Sequence, residues 1–452
     1  MYIIGLDIGT TSVCGILCDA GTGEIRRSVT RPNDTFLPSS NPWEKQQDPV
    51  ALISCLRDIA EDLLAAGSVA SIGVTGQMHG IVYVDAAGRP VGPLTIWQDE
   101  RGNLPYKDGL TYAEFLSNNT GYSLATGYGA VTHFYNTVNG LVPRDAVTFC
   151  TIHDLAVMTL TGASKPLLDP SDAASFGLYD LQNDCFDAAA ITAAGMDPAF
   201  FPAVSSGLAL AGATPDGIPV STAIGDNQAS VLGSVSDLTH SILINVGTGS
   251  QISCVVTRPP EGSGLDCRPL MPGHWLLAGS SLCGGRAYAI LEKFLRDAAS
   301  VISGTPVKSA YPVMDKLMAE YTVPDEPLTV DTAFSGTRKQ PSRRGSIGGI
   351  GIDNLTVANL CDGVLNGMVA ELYDLYREMS PYLSAEHTRL IGSGNGIRSN
   401  APLARRFAAA FGLPLSTPCH REEAAFGAAL FAMVAAGLAP DMAAAQTRIR
   451  YQ

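Results

Sequence analysis

The first apolar run of the chain is short and ends on an acid. Ile3, Ile4 and Leu6 lead to Asp7, a tight turn follows at Gly9-Thr10-Thr11-Ser12, and a second apolar run covers Val13 to Leu17. Two such runs joined by Gly and small hydroxyl residues predict a β-hairpin. The period then changes: from Pro49 to about Ala66, Leu52, Cys55, Leu56, Ile59, Leu63 and Leu64 recur at helical spacing. Ser71 to Thr75 reads as a strand, broken by Gly76-Gln77-Met78-His79-Gly80, and Ile81 to Asp85 as the next strand. Residues 105–215 carry helical patterns separated by Gly/Pro turns. Ile218 to Ile224 is a strand running into Gly225-Asp226-Asn227-Gln228. The opening pattern then returns: apolar Ser241 to Val246, a Gly247-Thr248-Gly249-Ser250 turn, and apolar Ile252 to Val256. Val357 to Tyr376 is a helix with Leu360, Val364, Leu365, Met368, Leu372 and Leu375 on one side. Arg389 to Gly392 is a strand ending in the Gly-rich turn GSGNGIRSN. The most apolar stretch, Ala424 to Ala439, is Ala/Gly-rich and shorter than a membrane span, so it reads as a buried helix.

A chain of 452 residues exceeds one ordinary core and predicts two or three domains. The repeated hairpin predicts a duplicated α/β domain, 1–235 and 236–452, with the two copies facing each other across a cleft and a boundary near Ser234 to Thr239. Hydrophobic residues at 46% and charged residues at 16% describe a well-buried globular protein. A net charge of −14 argues against nucleic acid and anionic membrane as partners. The chain starts directly with a strand, with no basic segment before an apolar run, which is not a signal-peptide pattern. Ten cysteines without a CxxC pair or zinc spacing read as reduced thiols of a cytoplasmic protein.

The candidate chemistry lies at the breaks in these patterns. Gly9 allows a ligand close to the backbone, and Thr10, Thr11 and Ser12 offer donors to phosphate oxygens. Asp7 at the strand end could hold a hydrated Mg²⁺. A turn that is merely Gly/Thr-rich is the plainer reading. In Gly76 to Gly80 the glycines free the backbone, and Gln77, Met78 and His79 project at the strand ends. A lone His is more often structural, but this one sits between a glutamine-containing turn and a glycine. Trp97 offers a flat apolar face and Asp99 accepts hydroxyl hydrogens, a combination that suits a sugar or, equally, a solvated surface loop. Asp226 stands where open α/β sheets place their chemistry, though a helix N-cap would also use an acid there. The P-loop pattern GxxxxGK[ST], HExxH and GxSxG are absent.

With these words in this order, the chain resembles the FGGY carbohydrate kinases, in the clan of sugar kinases, actin and heat-shock chaperone ATPases. DIGTTS looks like the first phosphate hairpin, IGDNQAS like the segment with the catalytic Asp, and NVGTGS like the second phosphate hairpin. IGSGNGIRSN looks like the adenosine turn and EEAAFGAAL like the final helix. The resemblance implies two ribonuclease-H-like α/β domains with a cleft between them, ATP and Mg²⁺ as cofactors, and a ketose as substrate. GQMHG is shared by xylulose and sedoheptulose kinases; ATGYG, TIHD, DAASFG and WQDERG look closest to sedoheptulokinase. The implied reaction is phosphorylation of the terminal primary hydroxyl of a ketose, sedoheptulose first and D-xylulose second. A non-catalytic sugar or nucleotide sensor on the same fold is the alternative from another class.

Carried over residue by residue, Asp226 is the general base, and Asp7 and Asp226 face the metal. Asp7, Gly9, Thr10, Thr11, Gly247 and Thr248 contact the ATP phosphates. Gln77, Met78, His79, Trp97, Asp99 and Asn227 line the sugar pocket. Gly392, Ser393, Gly394, Asn395 and Asn400 border the nucleoside. One position departs: Cys14 stands where family members often carry Lys or Arg. A lost cation there weakens charge neutralisation in the transition state. The expected partners are the ketose and ATP, with a homodimer as the assembly to test.

Overall fold

The computed structural model describes residues 1–260, 264–337, 340 and 342–452. The chain forms two compact units. The first comprises Met1–Ser236, Arg268–Trp275 and Glu422–Arg450; the second comprises Asp237–Cys267, Leu276–Arg421 and Tyr451–Gln452.

The first unit is built on a seven-stranded sheet. Its order is Leu210–Ala213, Pro219–Ser221, Val69–Gly76, Tyr2–Ile8, Ser12–Asp19, Ile25–Pro32, with Ile224–Gly225 also paired to Val69–Gly76. The opening hairpin is antiparallel, whereas Val69–Gly76 runs parallel to Tyr2–Ile8 and to Ile224–Gly225. The expected strand from Ile218 to Ile224 is therefore two short strands. The helix Pro49–Leu64 covers one face of this sheet. Asp48 caps it by accepting from the Val50 and Ala51 amides, and Pro49 begins it, where a missing N–H costs nothing. Its periodic Leu52, Leu56, Ile59 and Leu63 are fully buried, while Cys55 and Leu64 lie at the edge of the stripe. A second core, rich in aromatic rings such as Tyr83, Phe134, Phe149 and Phe176, gathers the helical region that follows.

The second unit repeats the arrangement. Its sheet runs Asp266–Met271, His274–Ser281, Ser250–Val256, Ser241–Val246, Arg389–Ser393, Leu415–Ser416, the first two strands meeting at the segment Arg268–Trp275 that groups with the first unit. Here too the first hairpin strand, Ser241–Val246, pairs antiparallel with the second and parallel with a later one, Arg389–Ser393. The long helix Val357–Met379 buries Val364, Leu365, Met368 and Leu372, as the period predicts.

The most apolar helix, Glu423–Ala435, packs in the first unit. A single cut near residue 235 places it in the second half, so the units are interleaved in sequence. The reason is steric. A Cβ on Gly5 would overlap the Ala425 carbonyl, and one on Gly427 would overlap the Ala229 carbonyl. Glycine at these positions lets helix backbone lie directly on strand and helix backbone. With contacts all round, the helix has no polar face to offer; Ala425 through Met433 are all buried.

Candidate functional site

In the first unit, strand register gathers the candidates. Asp7 is opposite Thr75, and Thr75 is opposite Ile224; Gly76 is opposite Gly225. Three parallel strands thus end together, and Asp7, Gln77 and Asp226 leave the sheet at the same edge. Thr75 seals the arrangement by donating its hydroxyl to the Ile224 carbonyl at 2.7 Å. Asp226 is the first residue of the helix Asp226–Ser234, with Gly225 as the cap, so it is not an N-cap acid.

A closed ring of hydrogen bonds fixes the first hairpin turn. Thr10 Oγ1 donates to Gln77 Oε1 at 3.3 Å, Gln77 Nε2 to Gln47 Oε1 at 2.8 Å, and Gln47 Nε2 to the Thr10 carbonyl at 3.2 Å. Trp97 Nε1 donates to Thr10 Oγ1 at 2.9 Å. Asn33 holds the Gly9 carbonyl at 3.0 Å. Trp97 is 45% exposed, so its ring remains a platform beside Thr10. Thr11 is exposed at the tip of the turn.

His79 adopts φ 72°, a left-handed conformation uncommon for a non-glycine residue and one that Asp108, Leu178, Asp184 and Leu208 also take. Its Nδ1 is 2.7 Å from the Ser175 carbonyl, and its ring stacks on Tyr128 with centroids 4.7 Å apart. The three words GQMHG, ATGYG and DAASFG therefore meet at one place. Met78 is buried against Gly225, directly before Asp226.

Asp99 departs from the sugar-contact expectation. It is fully buried, and its two carboxylate oxygens accept from the Lys45 amide, the Arg101 amide, and Arg101 Nε and Nη2 at 2.7–3.1 Å. Arg101 is itself buried, donates to Asn136 Oδ1 at 2.7 Å and lies over the Tyr135 ring. A buried guanidinium needs a paired carboxylate, and Asp99 fills that need. Its position holds the Trp97 loop rather than presenting an acceptor to a ligand.

Charge is concentrated at the strand ends. Burial, then the neighbouring charges of Asp226 and Glu422, push Asp7 up to about 7. Asp7 Oδ1 is buried without a hydrogen-bond partner. Burial also raises Asp226, while His153, the Asn227 amide and Arg268 act against it. His153 Nε2 lies 2.8 Å from Asp172 Oδ1 in a fully buried pair; burial lowers the proton affinity of the ring and raises that of the carboxyl. Ser171, one residue before Asp172, donates its hydroxyl to Asp169 Oδ1 at 2.7 Å and accepts from the Gly225 amide at 3.3 Å, tying this segment to the Asp226 turn.

In the second unit, the turn at Gly247 and Thr248 is exposed. The amides of Gly285 and Arg286, at the start of the helix Gly284–Ser303, donate to the carbonyls of Gly247 and Thr248 at 2.9 and 3.0 Å. Gly394 takes φ 80° against Val246, and Asn395 is exposed beside it. Gly392 and Ser393 lie within the strand, and the buried Ser393 hydroxyl accepts from Asn245 at 2.9 Å. Asn400 departs from the nucleoside-contact expectation: its Oδ1 accepts from the Leu403 amide at 2.9 Å and caps the helix Ala401–Phe411.

Sequence reasoning passed over Arg268, Glu422, His153, Asp172 and Gln47. TIHD and DAASFG were visible as words, but no spacing announces that His153 meets Asp172. Arg268, in the ordinary stretch DCRPLM, donates from Nη1 to Asn227 Oδ1 at 3.4 Å. Glu422 has no signal beyond its place before an apolar helix.

The N-terminal domain model of the FGGY family of carbohydrate kinases matches residues 2–233, and its C-terminal domain model matches residues 246–436. Sedoheptulokinase of Mus musculus is 26% identical, over 94% of this chain and 96% of that protein. A glycerol kinase of Aquifex aeolicus is 26% identical, over 96% of this chain and 90% of that protein. Among solved structures, xylulose kinase from Rhodospirillum rubrum superposes with a TM-score of 0.84 at 22% identity, covering 100% of this chain and 93% of that one. That likeness establishes the two-domain α/β sugar kinase fold. All ten cysteines are free thiols, and no helix among the described residues is long and apolar enough to cross a membrane.

Proposed function

The chain belongs to the FGGY family of carbohydrate kinases, and from that premise we propose that it transfers the γ-phosphoryl group of ATP to the terminal primary hydroxyl of a ketose. Family membership implies ATP use. Sedoheptulose is the first choice of acceptor and D-xylulose the second. The observation that carries the reading is the register that brings Asp7, the GQMHG turn and Asp226 to one edge of three parallel strands. A cytoplasmic setting fits the free thiols.

Phosphoryl transfer passes through a loose transition state, so the residues mainly align groups and stabilise charge. Asp226 accepts the hydrogen bond of the terminal hydroxyl and orients its oxygen; the proton passes to this carboxylate late in the step. The stacked His79 and Tyr128 rings and the Trp97 face offer apolar surfaces to the carbon skeleton, with Asn227 supplying an amide. The fixed Thr10 and Thr11 turn, and Gly247 and Thr248, offer donors to phosphate oxygens. Gly394 and Asn395 border the nucleoside.

The acids fit a cation. Asp7 has a buried, unpartnered oxygen and a proton affinity raised first by burial and then by two like charges, the environment a divalent ion relieves. Among the described residues no three His, Cys, Asp or Glu side chains form a complete cage. Mg²⁺ commonly keeps several waters and uses one or two carboxylates, so Asp7 and Asp226 would hold it largely through water, where it would neutralise phosphate charge.

A coupled assay for ADP, run with and without a panel of ketoses, tests the reading. Sugar-dependent ADP release is expected, with sedoheptulose the best acceptor. ADP release indifferent to every ketose would sink it.

A further inference from the structure

We infer that Arg268 is the positioning cation of the Asp226–Asn227 turn, supplying there the positive charge that the first hairpin lacks. The inference rests on the kinase reading of this site. Cys14 pairs in register with Asp7, and its thiol is buried. A thiol carries no positive charge in either protonation state, so it cannot balance the acids. Asp7 and Asp226 meanwhile leave the sheet at the same end of neighbouring parallel strands.

Arg268 is placed to answer this. Its strand, Asp266–Met271, arrives beside the start of the helix Asp226–Ser234, and Nη1 donates to Asn227 Oδ1 at 3.4 Å. The fully buried Gln228 fixes the approach by donating Nε2 to the Pro269 carbonyl at 3.1 Å, one residue along. Adjacent residues of the helix thus grip adjacent residues of the strand. The consequences follow from the chemistry of each group. A guanidinium on Asn227 Oδ1 turns the amide so that its N–H₂ faces away, toward a substrate oxygen. The same guanidinium places a fixed positive charge at the start of the helix that Asp226 and Asn227 open. In the reaction the sugar oxygen forms a bond to the γ-phosphorus, the bond from that phosphorus to the bridging oxygen breaks, ADP leaves with the electron pair, and the hydroxyl proton goes to Asp226. Arg268 acts through Asn227 and Asp226 and is a positioning residue.

The test is the purified full-length Arg268→Ala variant in the ketose-dependent ADP assay. A fall in kcat of about 10- to 100-fold is expected, with the ketose KM raised, the KM for ATP within about twofold and Tm nearly unchanged. Added guanidinium chloride at tens of millimolar should restore part of the turnover, while urea, of the same shape but neutral, should not; Arg268→Lys should fall between. Wild-type kinetics in Arg268→Ala, or guanidinium and urea acting alike, overturns the inference. If the wild type turns over no ketose, the kinase reading fails separately. Calorimetric ketose binding then decides on Arg268: weaker binding in Arg268→Ala supports its action through Asn227, and equal binding overturns it.

Discussion

Two aspartates, both expected at the site, play different parts. Asp226 leads a helix at the end of a strand, its carboxylate held by the Asn227 amide and flanked by His153 and Arg268. Asp226→Asn keeps the shape and removes the proposed proton acceptor. It should lower kcat by roughly 10²–10⁴ with little change in ATP affinity; steady-state kinetics near wild type would remove the assignment. Asp99 is engaged on both oxygens by Arg101 and two backbone amides. Asp99→Ala leaves a buried guanidinium with only the Glu44 carboxylate, 3.7 Å away, at a cost of up to roughly 3–5 kcal/mol. Thermal unfolding should show a clear drop in Tm, whereas a sugar-contact role would raise KM and leave Tm in place. The sequence made both acids visible and, by resemblance, set Asp226 as the base and Asp99 in the sugar pocket; it did not show that Arg101 occupies Asp99. Which partner reaches a carboxylate depends on residues far along the chain, such as Arg101 beside Asn136 and Arg268 beside Asn227.

The helices and strands were largely legible because each carries its own period. Pro49–Leu64 begins where Asp48 and Pro49 announce it and buries the residues its spacing selects. The two hairpins share one design, yet the acid of the first, Asp7, has the neutral Asn245 at the matching place in the second, two residues before the turn glycine. The helix Gly129–Val138 shows what periodicity leaves out. It carries His133 into an aromatic cluster, where Tyr83 Oη lies 2.9 Å from Nδ1 and Phe149 and Phe200 lie 5.0 and 5.1 Å from the ring. Burial pushes His133 down to about 4. An unfolded histidine titrates near 6.5. Between those values the unfolded chain binds a proton that the folded chain refuses, so this residue makes stability rise with pH through the window and fall on acidification, by up to roughly 3 kcal/mol. The raised acids, Asp154 at about 8 among them, slope the opposite way. The measurement is therefore a difference: unfolding of wild type and His133→Gln at pH 4.5 and pH 7, with the variant losing less on acidification. Equal losses would remove His133 as the source.

At the scale of the molecule, the interleaving of the two units packs the helix Glu423–Ala435 against the sheet of the first. Gly427 stands against the Ala229 carbonyl and Gly5 against that of Ala425. Gly427→Ala forces these backbones apart and should cost about 1–3 kcal/mol or more, seen as a lower Tm and earlier proteolysis; an unchanged Tm would show that the contact gives way easily. By itself the sequence determined the hairpins, the helix periods, the duplicated plan and the family words, because strand and helix periods and turn residues act over a few neighbouring positions. Only the tertiary structure decided that Glu422–Arg450 completes the first unit, that Asp99 and Asn400 are taken by Arg101 and a helix end, and that Arg268 reaches Asn227. Those outcomes depend on how closely distant backbones approach and on which buried charges must be paired, and neither is written in any local pattern.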